Sequence, residues 1–210
     1  MIKIIPFIYN DHDDLCSNTY VLVDENNQCV VIDPSKNNKN LVNFLVKNQY
    51  ELKGILLTHG HIDHFNGLDY LLEHKNVNVY ISFDEEKVIR DYFNNGSLYI
   101  NGQPKSFNGP LTFISDKEVI SLINTDIVAL ATPYHTIGSM VFYVKENESV
   151  FTGDSLFKRS IGRSDFPTGN SKQIRDSLNK ILSLPKNTKV YPGHGPFTTI
   201  EDELDIIKFV

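Results

Sequence analysis

Three histidines and one aspartate lie within six consecutive positions of the chain, from His59 to His64. The surrounding segment, residues 58–67, reads THGHIDHFNG and holds three of the seven histidines of the chain. Imidazole nitrogens and carboxylate oxygens are ligands that zinc, iron and manganese accept in proteins. A solvated polar loop is the alternative interpretation, and the spacing by itself does not remove it. The pattern HxHxDH therefore predicts a metal site that needs support from elsewhere in the chain.

The histidine cluster lies between a predicted strand and a predicted helix. Residues 54–57 form a short apolar run, which indicates a buried strand that leads directly into the cluster. In an extended loop His59 and His61 point to the same side, because side chains alternate. Asp63 and His64 follow as the chain turns toward the helix. One loop is thus able to offer two ligands to one metal ion and two to a neighbouring ion.

Three further residues with ligand side chains each follow a predicted strand elsewhere in the chain. They are His135 after residues 127–132, Asp154 after residues 150–152, and His194 after residues 189–191. A single histidine behind a strand is usually structural, but repeated strand-end positions are typical of a site assembled from several loops. Gly153 permits a sharp turn before Asp154, and glycines on both sides of His194 allow the backbone to approach closely. We therefore expect these residues to complete the site.

The remaining pattern predicts one domain over residues 1–210, built from two similar rounds of strands and helices. The turn at residues 24–27 predicts a hairpin, and the Asn- and Gly-rich residues 94–109 predict a surface loop. Hairpins mixed with strand–helix units imply sheets covered by helices. The predicted strands are residues 3–9, 19–23, 29–32, 54–57, 77–81, 119–123, 127–132, 140–144, 150–152 and 189–191, and the predicted helices are 41–49, 68–72, 85–93, 174–182 and 201–209.

The composition is that of a globular protein with no indication of nucleic-acid binding. Hydrophobic residues make up 40% of the 210 residues and aromatic residues 11%, which is enough for a packed core. Lys and Arg number 20 against 26 Asp and Glu, so the formal net charge is −6 and no basic surface is indicated. We therefore expect a small-molecule substrate and no nucleic-acid partner. The sequence leaves the oligomeric state undetermined.

Cysteine usage and hydropathy predict a cytoplasmic protein. Cys16 and Cys29 are the only cysteines and form no CxxC pair, a pattern that fits reduced thiols. The first residues lack the long apolar segment and the small-residue cleavage site of a signal peptide. No apolar run approaches the ~18 residues of a membrane span. We therefore expect no membrane association.

The order of the ligand residues resembles that of the metallo-β-lactamase-fold hydrolases over essentially the whole chain. HGHIDH at residues 59–64 is followed by the three later ligands in the family order, and Asp33 in VVIDPS matches an acidic position on an early strand. The resemblance implies an α/β fold, a four-layered αββα sandwich, with two divalent metal ions at one edge; zinc is favoured over iron or manganese. The implied ligands are His59, His61 and His135 for one ion, Asp63, His64 and His194 for the other, and Asp154 as the bridge.

Residues 153–170, GDSLFKRSIGRSDFPTGN, carry a narrower resemblance. They are similar to the corresponding segment of short bacterial glyoxalase II-like proteins, which are hydroxyacylglutathione hydrolase-like thioesterases. This resemblance implies hydrolysis of a thioester by a hydroxide that bridges the two metal ions. Asp63 and Asp154 would orient this hydroxide as well as bind metal.

Three features of the chain bear on its substrate. Tyr134 stands where the family usually has glycine, and we expect it to reshape the pocket floor or to supply a hydroxyl. Arg163 and Asp165 form either part of the pocket or an internal ion pair. Full-length glyoxalase II also carries a C-terminal helical domain that binds glutathione. The chain ends sixteen residues after His194, and we expect that domain to be absent.

Other functions stay open at this point. GRxDF at residues 162–166 is also similar to persulfide dioxygenases, which would use one iron with His59, His135 and Asp154 as ligands. Another ester or lactone hydrolase of the same fold and a metal-binding protein without activity are further alternatives. Antibiotic hydrolysis is not expected, because secreted β-lactamases of this fold are exported and typically use other ligands at position 154, including cysteine. We expect His12 and His74 to lie on the surface.

Overall fold

Two six-stranded β-sheets form the centre of the structure, a computed structural model that describes residues 1–9, 16–37, 39–100 and 102–209. The first sheet contains, in spatial order, β1 (Lys3–Phe7), β2 (Thr19–Val23), β3 (Gln28–Ile32), β4 (Glu51–Leu56), β5 (Asn78–Ser82) and β6 (Thr112–Ile114). The second contains, from one edge to the other, β7 (Val119–Ile123), β8 (Thr125–Ala131), β9 (Met140–Val144), β10 (Ser149–Gly153), β11 (Lys189–Pro192) and β12 (Thr198–Thr199).

Helices cover the outer faces of the sheets or carry the loops between strands. The two longest bury one apolar stripe each: the first buries Leu41, Val42 and Leu45, and the sixth buries Leu178 and Ile181. The α-helices are α1 (Lys39–Lys47), α2 (Ile62–Phe65), α3 (Leu68–His74), α4 (Glu86–Ile89), α5 (Ser97–Ile100), α6 (Ile174–Leu182) and α7 (Ile200–Glu203).

The alternation of side chains along the strands produces three apolar layers. All residues of β2 are buried, because Val21 packs outward with Leu45 of α1 whereas Leu22 packs inward with Phe142 of the second sheet. The outer face of the second sheet packs in the same way, with Val141 against α6. The order of layers is therefore helix, sheet, sheet, helix. This confirms the predicted four-layered α/β sandwich.

The direction of the strands places the loops with the predicted ligands at common sheet edges. β3, β4 and β5 run parallel in the first sheet, and β10 and β11 run parallel in the second. β8 points the same way as β10, because both pair antiparallel with β9. Parallel strands end at the same edge, so each sheet collects the loops after its carboxyl ends there. The predicted ligands all follow such strands.

The sequence pattern predicted most elements but misjudged the middle of the chain. The hairpin of β2 and β3 is confirmed. The predicted helix over residues 85–93 is wrong in its second half: α4 ends at Ile89, and the Asp91 carboxylate accepts the N–H of Phe93 at 2.8 Å in a local turn that competes with the helix. Short α5 lies within the predicted loop, and β6 and β12 had no sequence signal strong enough to predict them.

Several smaller expectations are also answered by the structure. His74 is exposed, as predicted, and its Nδ1 lies 2.8 Å from the carbonyl oxygen of Tyr70. His12 lies outside the described residues. Cys16 and Cys29 are not joined by a disulfide. Within the described ranges, every helix is too short or too polar to cross a bilayer. The assignment of residues 1–210 to one domain stays a prediction.

Replacement of Phe142 by alanine should destabilise the protein, because the ring is fully buried between the two sheets. We expect the free energy of unfolding to fall by about 3–5 kcal/mol, measured by urea denaturation. Val119→Ala is the control, since that side chain is 52% exposed on the same sheet, and a change within about 0.5 kcal/mol is expected. Equal effects of the two substitutions would contradict the described core.

Candidate metal centre

The structure brings all seven predicted ligand residues together. They come from the loops after β4, β8, β10 and β11, and their donor atoms fall into groups of three whose members lie within 4.8 Å of one another. The groups are His59, His61 and His135; Asp63, His64 and His194; and His59, His64 and Asp154. We call the first group the first triad and the second group the second triad.

The first triad consists of imidazole nitrogens that face one another. Nδ1 of His61 lies 3.1 Å from Nε2 of His59 and 2.9 Å from Nε2 of His135. Ligand atoms at about 2.0–2.1 Å from a tetrahedral zinc ion lie roughly 3.3 Å from one another. The spacing of the three nitrogens is therefore close to that around a single ion.

The second triad is completed across the two sheets. Nε2 of His194 lies 3.1 Å from Oδ2 of Asp63, and Nε2 of His64 lies 3.7 Å from the same oxygen. His61 ends the extended part of the loop, and Asp63 and His64 occupy the short helix α2. The change from loop to helix therefore separates the ligand residues of one segment between the two triads.

Asp154 lies between the triads and faces both. Its Oδ1 is 3.1 Å from Nε2 of His64 and 3.5 Å from Nε2 of His194, while its Oδ2 is 3.5 Å from Nε2 of His135. Apart from their 3.1 Å contact with each other, Oδ1 of Asp154 and Nε2 of His64 are buried without a hydrogen-bond partner. Buried polar atoms are rarely left unpaired, and a cation beside them would satisfy both. The donor set thus fits two divalent metal ions.

Burial keeps two histidines of the first triad neutral. Desolvation lowers the pKa of His59 well below its usual value, and positive charge on His64 and His61 would lower it further. Desolvation, followed by the effect of His135, lowers the pKa of His61 to about 3. Both rings therefore present a nitrogen lone pair at neutral pH, which is the form that binds metal.

The second triad and Asp154 hold charges that compensate one another. Burial opposes ionisation of Asp63 and Asp154, but the histidines around them outweigh it, so the pKa of each carboxyl is lowered. Burial also opposes protonation of His64 and His194, yet the carboxylates, Asp154 foremost, raise the pKa of both rings. A metal ion bound there would take the place of these protons as the source of positive charge.

Asp33 orients His64 and anchors the start of the ligand loop. Its Oδ2 lies 2.8 Å from Nδ1 of His64 and accepts the hydroxyl of Thr58 at 2.7 Å, while its Oδ1 accepts the N–H of Thr58 at 2.8 Å. A carboxylate on the outer nitrogen of a histidine fixes which nitrogen faces the metal. Asp33 is therefore a supporting residue and not a donor.

The predicted pocket residues occupy two kinds of position. Tyr134 is fully buried, and its hydroxyl donates to the carbonyl of Ser155 at 2.5 Å, so the hydroxyl is engaged with the main chain. Arg163 and Asp165 form a bidentate ion pair at 2.8 Å, exposed on both sides, with the guanidinium 4.4 Å from the ring centre of Phe166. The ion-pair alternative is thus present, and a substrate contact by Arg163 stays a prediction.

Two buried residues that contact the ligand loops went unnoticed in the sequence. The carboxylate of Glu85 accepts main-chain N–H groups beside the first triad, and the side-chain amide of Asn18 donates to main-chain carbonyls beside His194. Glu85 follows β5, so the strand-end rule that found the other loops would have included it. Asn18 precedes β2, where no such rule applies.

Asp33→Asn should weaken metal binding at the second triad. The amide cannot accept from all three donors that the carboxylate serves, and loss of such outer contacts lowers metal affinity by about 10–100-fold. Competition with a chromophoric chelator measures the affinity. Asp126→Asn is the matched control, because Asp126 is exposed on β8. An unchanged affinity in Asp33→Asn would contradict the orienting role.

Removal of the Arg163 side chain should leave the metal content of the protein unchanged. Nδ1 of His135 lies 2.7 Å from the main-chain carbonyl of Arg163, and Arg163→Ala retains that carbonyl. Elemental analysis of Arg163→Ala and Asp165→Ala, each compared with the unaltered protein, measures the effect. Loss of metal in both variants would show that the ion pair holds the loop in place.

Comparison with known proteins identifies the family. Residues 13–194 match the model of the Metallo-beta-lactamase superfamily. The probable metallo-hydrolase YqgX of Bacillus subtilis is 32% identical over 190 residues, which cover 90% of each protein. The hydroxyacylglutathione hydrolase GloC of Haemophilus influenzae is 31% identical over 193 residues, which cover 89% of each.

Solved structures agree with the sequence comparison. The crystal structure of the B3 metallo-beta-lactamase BLEG-1 has a TM-score of 0.88 and 33% identity, covering 98% of this chain and 97% of that one. TTHA1623, crystallised in a di-iron-bound form, has a TM-score of 0.84 and 29% identity, covering 98% of this chain and 100% of that one. The chain belongs to the metallo-beta-lactamase superfamily and is one of its metallo-hydrolases.

Proposed function

We propose that the protein hydrolyses a thioester of the hydroxyacylglutathione type at a two-metal centre. The observation that carries this proposal is the position of Asp154, whose two carboxylate oxygens face the second and the first triad respectively. A carboxylate in that position is suited to join two metal ions. The relationship to GloC, a hydroxyacylglutathione hydrolase that is 31% identical, supports the thioester as substrate.

Metal ions at this centre would activate a water molecule and the substrate carbonyl. Divalent ions held by the two triads would lower the pKa of a coordinated water to about 7 and polarise the substrate carbonyl. We propose zinc, which suits nitrogen and oxygen donors in this number. Iron and manganese are the alternatives, and the di-iron form of TTHA1623 supports iron as the first of these.

Asp63 and Asp154 would also orient the attacking water. Both carboxyls have a lowered pKa and are therefore ionised, so they are able to accept a hydrogen bond from water. The side chain of His194 is 37% exposed, whereas those of Asp63 and Asp154 are 10% and 12% exposed. The centre is thus most open beside His194, and we propose that the scissile carbonyl approaches from this side.

A narrow, mainly apolar recess lies beside the first triad. Its wall is formed by His61, Asn94, Gly96, Tyr99, Ile100, Phe166 and Pro167. A larger cavity of about 730 Å³, whose wall includes Asp84, Pro133 and Asn170, contains no donor residue. Because the wall of this recess includes the metal-ligand candidate His61, we propose that the substrate is recognised through a small acyl part that lies beside it.

The proposal predicts hydrolysis of S-lactoylglutathione by the protein loaded with metal. His59→Ala removes one donor of the first triad and should lower kcat/KM by at least about 100-fold. His74→Ala removes an exposed histidine away from the centre and should leave the rate unchanged. A wild-type rate no higher than that of His59→Ala would overturn the thioesterase proposal.

β-Lactam hydrolysis is a second candidate, because the fold is so similar to that of BLEG-1, a B3 metallo-beta-lactamase. Hydrolysis of nitrocefin by the same preparation tests it, with His59→Ala again as the control.

Elemental analysis separates both hydrolases from the persulfide dioxygenase alternative. About two metal ions per chain would support a hydrolase, whereas one iron together with oxygen uptake on glutathione persulfide would favour the dioxygenase.

A further inference from the structure

The carboxylate of Glu85 joins the two loops that carry the first triad. Glu85 is fully buried behind the end of β5. Its Oε2 accepts the N–H of Gly60 at 2.6 Å, and its Oε1 accepts the N–H of Gly138 at 2.7 Å. Gly60 lies between His59 and His61, and Gly138 lies in the loop that carries His135. One side chain therefore spans the two segments that must meet to form the triad.

Both bonded glycines are needed for this contact. A Cβ atom at Gly60 would lie 2.9 Å from the main-chain nitrogen of Ile89 and 3.1 Å from Oε2 of Glu85. A Cβ atom at Gly138 would lie 2.9 Å from the main-chain nitrogen of Glu85 and from Cβ of Asp84. Such distances leave no room for a side chain in a close-packed interior. The segment of Glu85 is thus wedged between the ligand loops.

The bonding pattern of Glu85 requires a carboxylate. Both of its oxygens accept from main-chain N–H groups, and Thr136 adds a side-chain hydrogen bond. An ionised carboxylate is an acceptor only, whereas an amide of the same shape would set its own NH₂ group against one of the N–H donors. Burial raises the pKa of Glu85, while these hydrogen bonds act in the opposite direction. The contact is therefore sensitive to a change of one atom.

Asn18 makes the corresponding contact beside the second triad. Its main-chain N–H donates to Gly193 at 2.6 Å, and its side-chain amide donates to the carbonyls of Pro192 and Gly195 at 3.0 and 3.1 Å. The preceding residue, Ser17, donates its N–H to the carbonyl of Asp63 at 3.1 Å. The segment before β2 thus fixes the loop of His194 against the loop of Asp63.

We propose that Glu85 is the positioning residue of the first triad and Asn18 that of the second, so that the two metal positions are assembled by separate contacts. This assignment rests on the two-metal centre proposed above. Neither residue supplies a donor to the ions. Glu85 bonds main-chain groups next to donors from both halves of the chain. Asn18 bonds main-chain groups next to His194, and the preceding Ser17 bonds Asp63. Metal affinity depends on such outer contacts.

Metal binding by Glu85→Gln and Asn18→Ala tests the assignment. Glu85→Gln should weaken the ion at the first triad by about 10–100-fold and Asn18→Ala the ion at the second by a similar factor. Stepwise titration against a chromophoric chelator measures each affinity. NMR spectra of protein with ¹⁵N-labelled histidine assign the triads, because His61 faces its triad through Nδ1 whereas the histidines of the second triad use Nε2.

Glu203→Gln is the matched control for Glu85→Gln. Glu203 is also buried, and it accepts the N–H of Arg159 at 2.8 Å and the hydroxyl of Thr198 at 2.6 Å, away from the donors. We expect this variant to lower stability without changing either metal affinity. Gly138→Ala disturbs the same contact from the loop of His135 and should also weaken the ion at the first triad. This variant serves as the test if Glu85→Gln does not fold.

The outcomes separate this assignment from the proposed function. Equal loss of both ions in all variants, or no loss in Glu85→Gln and Gly138→Ala, would overturn the assignment while leaving the two-metal centre intact. A wild-type protein that binds no divalent metal would overturn the centre and the assignment together. Selective loss of one ion in each variant would support the assignment whether or not S-lactoylglutathione is hydrolysed.

Discussion

The burial of several ionisable side chains at one point is the constraint on which the structure depends. Five imidazoles and two carboxylates meet where water is largely excluded, and an isolated charge in such a place would be very unfavourable. Two features limit this cost: the lowered pKa keeps His59 and His61 neutral, and His64 and His194, whose pKa is raised, lie next to the ionised carboxylates of Asp63 and Asp154. Positive ions at the centre would remove the conflict altogether.

The sandwich brings these side chains together by supplying donors from the edges of both sheets. Each sheet collects the carboxyl ends of its parallel strands at one edge, and each triad takes donors from both edges. The apolar layer between the sheets fixes the distance between those edges, since close-packed interiors do not deform continuously. The short contacts of Asp33, Glu85 and Asn18 then set the final position of the loops.

Much of this arrangement was predictable because it follows from local pattern. Apolar runs and their ends predicted the strands, and ligand side chains after four of those ends predicted which loops meet. Glu85 escaped because its partners are main-chain N–H groups, which every sequence offers, and because helical spacing placed it at the start of a predicted helix and not among the loop residues after the strand. The turn at Asp91 was missed for a similar reason: a side-chain bond to the local backbone overrides helix propensity. The ligand roles themselves stay a prediction.

The division of each triad between the two halves of the chain has a consequence for biosynthesis. His59 and His61 leave the ribosome long before His135, and Asp63 and His64 long before His194. A nascent chain therefore carries no complete set of donors until its second half has been made and has folded onto the first. A complete donor set would therefore be offered to a metal ion only by an almost finished protein, and neither triad could act as a full template for the early stages of folding.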